Sequence, residues 1–162
     1  MGHPALLALR IVLALGLAGS LFVQVVMVPL LAIDLDEAPA TVRVPVIVIV
    51  LLGIVTAQVT MVCVWRLLTM VRRGTVFSHG AFRYVDVVIG AVAVASVLTF
   101  ALGATLAPGE AVAPGIVLLI GGVGVMVAGV ALLVLVLRML LAQAVARDAE
   151  AQHLRAELNE VI

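Results

Sequence analysis

Residues 44–70 read VPVIVIVLLGIVTAQVTMVCVWRLLTM, and a single charge, Arg66, interrupts them near one end. A bilayer core about 30 Å thick needs roughly 20 apolar residues in helical form, whereas a surface helix of a soluble domain keeps a polar face. Val and Ile dominate the stretch, as they do in strands. Lipid, however, offers no partner to an open strand edge, and barrel strands run to only about ten residues. The stretch reads as a membrane-spanning helix.

Three more runs of the same kind flank it, at 5–33, 85–106 and 114–137. The expected fold is all-α and integral to the membrane: four transmembrane helices forming two hairpins, bundled within 1–141, with a cytoplasmic helical tail over 142–162. Composition agrees. Of the 162 residues, 65% are apolar and 11% charged, and the mean hydropathy is +1.38. A soluble domain carries about 25% charged residues, and a globule of this size has no means of covering so much apolar surface. Nine basic residues, all Arg, balance nine acidic ones, so a basic nucleic-acid face is not expected. Cys63 has no second cysteine to pair with, which excludes a disulfide scaffold.

Orientation follows from the arginines. The connection 71–84 carries Arg72, Arg73 and Arg83 just after Arg66, and Arg147 and Arg155 follow the last span. The connection 34–43 carries Asp34, Asp36 and Glu37 against Arg43, and 107–113 holds only Glu110. The positive-inside rule puts both termini and the middle loop in the cytoplasm of an inner (plasma) membrane protein. Eight of the nine arginines then lie on that side. Arg66, Arg72, Arg73 and Arg83 are expected at the inner headgroups, attracting anionic lipid. Arg10 and Arg138 are expected to reach the headgroups through their long stems. Asp86 is expected at the opening of the third helix, where the helix dipole favours an anion. Ala38-Pro39-Ala40 resembles a signal-peptide cleavage site, but the apolar run before it is far longer than the usual 7–15 or so residues, and three acids intervene. The first span is therefore expected to be retained.

Catalysis needs titratable or nucleophilic groups gathered in a site. His3, His79 and His153 all lie outside the spans, so neither a bundle-bound haem nor a zinc site is expected. Four loop acids without fixed spacing, Asp34, Asp36, Glu37 and Glu110, do not define a cation site. No cofactor and no metal are anticipated. Cys63 reads as a small packed hydrophobe. Among intramembrane polar residues, Gln24 and Gln58 stand out. Counting from the helix ends sets their depths about 10 Å apart, so each is expected to bond a backbone carbonyl or hydroxyl of a neighbouring helix and not the other glutamine. A polar step on a translocation path is the alternative. Small residues recur at Ala91, Ala95 and Thr99, at Gly121, Gly122, Gly124, Ala128 and Gly129, and at Gly16 and Ser20. Such faces allow close helix approach, within the chain or in a homodimer through the fourth helix.

Pro39 and Pro45 bracket the first outer loop at the spacing that separates Pro108 from Pro114. Pro45 and Pro114 are read as helix starts, where proline is tolerated. Convergence on a good start residue accounts for the match better than a duplicated hairpin. Beyond Arg138 the sequence turns to Ala, Leu, Gln, Arg and Glu, all helix formers. Leu154, Leu158 and Ile162 make a narrow apolar stripe, too short for a coiled coil. It suits a helix lying on its own bundle or on the membrane surface, or one docking on a partner protein.

The middle loop Arg73-Gly74-Thr75-Val76-Phe77-Ser78, with Phe82 and Arg83 after it, is similar to a Gly-x-Pro-Phe-Ser/Thr loop before a third span. The ending, with Ala144, Leu154, Glu157, Leu158 and Glu160-Val161-Ile162, is similar to the close of the same proteins. With the four-span layout, the chain resembles the bacterial membrane family called domain of unknown function 2975. Val76 stands where that family favours Pro. The resemblance implies no catalytic residues; because family members are often encoded beside small helix-turn-helix regulators, it implies a cytoplasmic regulatory partner. Independently of the resemblance, Ser78 suits the N-cap of the third helix, Phe77 a staple to Phe82, and Gly74 a sharp turn.

These residues suit a non-enzymatic membrane protein that binds or senses and relays through its middle loop and tail. Its partners would be the bilayer, a cytoplasmic regulatory protein and a second copy of itself, with no direct nucleic-acid contact. The alternative is a small transporter or permeability subunit with Gln24 and Gln58 on its path.

Overall fold

The computed structural model describes residues 3–73, 79–109 and 112–161. Five α-helices account for most of them: α1 (His3–Phe22), α2 (Val28–Asp34), α3 (Ala40–Arg72), α4 (His79–Leu106) and α5 (Pro114–Val161). A π-helical turn, Val23–Met27, joins α1 to α2, so the two form one rod. Four helical segments are long and apolar enough to cross a membrane: Pro4–Asp34, Ala40–Arg72, Gly80–Leu106 and Pro114–Glu160. No strand occurs among the described residues.

The π turn has a local cause. Pro29 lacks an N–H and its ring crowds the carbonyl of Val25 one turn earlier, so a regular α-helix fails there. The chain widens by one residue, and the Val28 N–H bonds to the Val23 carbonyl, five residues back. Gln24 lies inside this widened turn.

Helix boundaries differ from the sequence expectation at two points. α3 begins at Ala40, where Pro39 is the N-cap and its carbonyl accepts from Val42 and Arg43. Pro45 therefore lies inside α3 and does not start it, while Pro114 is the first residue of α5. The two proline pairs thus occupy unequal positions. α4 begins at His79, nearly two turns before 85, so Asp86 stands within the helix and beyond reach of its N-terminal dipole. The proposed Gly74, Phe77 and Ser78 turn and cap lie outside the described residues.

The extensive close approaches run between consecutive spans, α1–α3, α3–α4 and α4–α5, and are fullest for the last two. No comparably extensive approach joins α1 to α4 or α5, or α3 to α5, among the described residues. Most side chains face outward, as lipid-facing residues do, and the buried set is small: Val28, Val46, Cys63, Leu68, Ala81, Ser96 and Ala131. Close packing falls where small residues permit it. A Cβ at Gly124 would lie 3.1 Å from the Phe100 Cζ, and one at Gly16 would lie 3.0 Å from the Met61 Sδ. Between these helices, the Ser96 hydroxyl donates to the Gly124 carbonyl at 2.9 Å.

Helix α5 runs unbroken for 48 residues. At 1.5 Å per residue it is about 70 Å long, more than twice a bilayer core. Every residue from 146 to 160 is exposed, so this part does not lie back on the other helices.

Candidate functional site

Polar side chains gather at two levels. The first is the middle of the α1–α3 contact. Gln58 Nε2 donates to Gln24 Oε1 at 3.0 Å and approaches Ser20 Oγ at 3.3 Å. Ser20 in turn donates to the Leu17 carbonyl at 2.9 Å. This corrects the expectation that the two glutamines lie too far apart in depth to meet. With Gly16 facing Met61, the two glutamines still stand about five residues, or about 7.5 Å, off level along the helices, and two long amides reach across that offset. Pro29 was the sequence signal that marked Gln24's turn as irregular. Thr56 and Thr60, on the same stretch of α3, bond only to carbonyls of their own helix.

The second level is the arginine-rich end, where α3 finishes and α4 begins. Arg138 on α5 grips Asp86 on α4 with two nitrogens, Nε at 2.5 Å from Oδ1 and Nη2 at 2.8 Å from Oδ2. Its guanidinium also lies over the Phe82 ring, 6.0 Å from the centroid. Asp86 was expected at a helix start; instead it stands inside α4 and answers Arg138. On the opposite side, Arg10 lies 5.5 Å from the centroid of the Trp65 ring and donates from Nη2 to Thr69 Oγ1 at 3.1 Å. Its Nε is buried and makes no hydrogen bond among the described residues. Arg66, Arg72, Arg73 and Arg83 are all exposed at this end, and none is paired with a carboxylate among the described residues.

At the other end Asp36 pairs with Arg43 at 2.5 Å. No group of three or more metal-ligating side chains forms among the described residues; Glu110 lies outside them. Gly121, Gly122 and Gly129 have open space where a Cβ would stand. In the tail, Leu154 and Leu158 are 53% and 62% exposed, while Ile162 lies outside the described residues.

Four long apolar helices with charges at their ends, the first two joined by polar side chains, define a multi-pass α-helical membrane protein. The chain belongs to the family DUF2975, proteins of unknown function, whose sequence profile matches residues 30–162. The match takes in the end of the first span, the other three and the tail; Arg10, Ser20 and Gln24 precede it. No curated protein and no solved structure matches the chain.

Proposed function

We propose that the protein is a non-enzymatic binding or sensing component of the inner membrane that relays to a cytoplasmic regulatory protein through α5. The observation that carries this reading is the continuity of α5. One helix runs from a span gripped by Asp86 into a segment with every side chain exposed from 146 to 160. Nothing in the span needs that segment for its backbone hydrogen bonds. Leu154 and Leu158 offer the kind of stripe that amphipathic helices lay into a partner's groove. The arginine bias supports termini and middle loop in the cytoplasm, and a second copy packing on the open glycine face of α5 suits the same reading.

The test is affinity capture of the full chain and of a chain ending at Arg147, in mild detergent. Truncation is expected to preserve membrane insertion and thermal stability while abolishing recovery of a cytoplasmic protein. Unfolding of the truncated chain, or undiminished recovery of the partner, would refute the relay. The alternative is a small transporter or permeability subunit with Gln24 and Gln58 on its path; the two amides bond each other, which supports a role in helix packing over one in a path.

A further inference from the structure

We propose that the cleft between α1 and α3 at the arginine-rich end holds one anionic phospholipid, its phosphate bound by Arg10 and Arg66. The inference rests on the membrane-spanning fold and is independent of what the tail binds. α1 approaches only α3 extensively, and much less fully than α3 approaches α4. The result is an open cleft of about 420 Å³ lined by Ala14, Leu17, Val62, Trp65 and Arg66. Its walls are apolar except where Arg66 closes it. Arg10 lies one turn from Ala14 on the same face of α1 and sits over Trp65, so its guanidinium caps that same end.

The charge there is unanswered. The hydroxyl of Thr69 is the only acceptor Arg10 meets among the described residues, and it is neutral. Arg10 Nε is buried and makes no hydrogen bond among the described residues, a costly state for a donor on a cation. Arg66 has no carboxylate, and Asp86 is taken by Arg138. A phosphodiester supplies the missing anion, and its oxygens match the fork of a guanidinium. A free phosphate would leave Ala14, Leu17 and Val62 bare, whereas a lipid covers them with an acyl chain while placing its phosphate at the arginines. An anionic lipid is favoured over a zwitterionic one because two cations face the site and, among the described residues, no carboxylate pairs with either or lines the cleft to receive a choline or ethanolamine group.

Trp65 is the chain's one tryptophan, so its fluorescence reads the cleft directly. The full chain is reconstituted in phosphatidylcholine vesicles containing increasing fractions of brominated phosphatidylglycerol or, separately, brominated phosphatidylcholine. Quenching by the anionic lipid is expected to saturate at a several-fold lower mole fraction. Arg10→Gln and Arg66→Gln should each remove that preference; Arg66 is exposed, so its substitution leaves the fold intact. Arg147→Gln, an exposed cation beyond the last span, should retain it. Equal quenching by the two lipids, a preference that survives both cleft substitutions, or its equal loss in Arg147→Gln would overturn the site.

Discussion

Gln58 Nε2 donates to Gln24 Oε1 across 3.0 Å, joining the one irregular turn of the first span to the middle of α3. Gln58 stands about one turn from Met61, which closes on Gly16. Interhelical hydrogen bonds in membranes average about 0.6 kcal/mol and reach about 1.7. Gln58→Leu is expected to lower thermal stability in detergent by an amount in that range. A double-mutant cycle with Gln24→Leu should show coupling of at least about 0.5 kcal/mol. Additive effects would mean that the amides act separately.

At the α4–α5 contact, bulk at Gly124 should be poorly tolerated. A Cβ already falls 3.1 Å from Phe100 Cζ, and overpacking a tight contact costs about 1–3 kcal/mol. Gly124→Ile should destabilise by about that much, and adding Phe100→Ala should recover part of the loss. No recovery in the melting temperature of the double variant would place the strain elsewhere.

The Asp86–Arg138 pair is half exposed on the Asp86 side, so its contribution to stability is small, under about 1 kcal/mol. Its consequence is directional. Asp86→Asn should leave the melting temperature nearly unchanged while broadening the distance distribution between spin labels at Val87 and Ala151. An unchanged distribution would mean that packing alone holds α5.

Topology is tested with Cys63 replaced and single cysteines introduced by Glu37→Cys and Ser78→Cys. In intact cells a membrane-impermeant thiol reagent is expected to label the first and spare the second. The opposite pattern would reverse the orientation.

Hydropathy made the four spans readable because a bilayer imposes one length and one composition on everything that crosses it. The ends of those spans were less readable. Ala40, Thr41 and the residues from His79 to Tyr84 are ordinary in composition, and helix persists there because nothing breaks it. Pairings across helices were the hardest to read. Asp86 suited a helix start and Arg138 the headgroups, and only their shared depth on adjacent helices brings them together. Gln24 and Gln58 were singled out from the sequence but assigned to other partners, since residue counting carries no information about how far one helix slides past another. Pro29 was visible throughout, and a proline inside an apolar run is the signal that would have flagged the π turn beside Gln24.

The single piece of α5 has a mechanical consequence. A helix without a hinge converts a tilt inside the bilayer into a sweep at its free end, as an oar does about its rowlock. Beyond Asp86's hold on Arg138, roughly 20 residues project about 30 Å. A tilt of about 10° at that fulcrum would carry the tip through about 5 Å at 1.5 Å of rise per residue. That sideways shift is about half the ~10 Å diameter of a helix, enough to lift the stripe of Leu154 and Leu158 out of a groove that holds it.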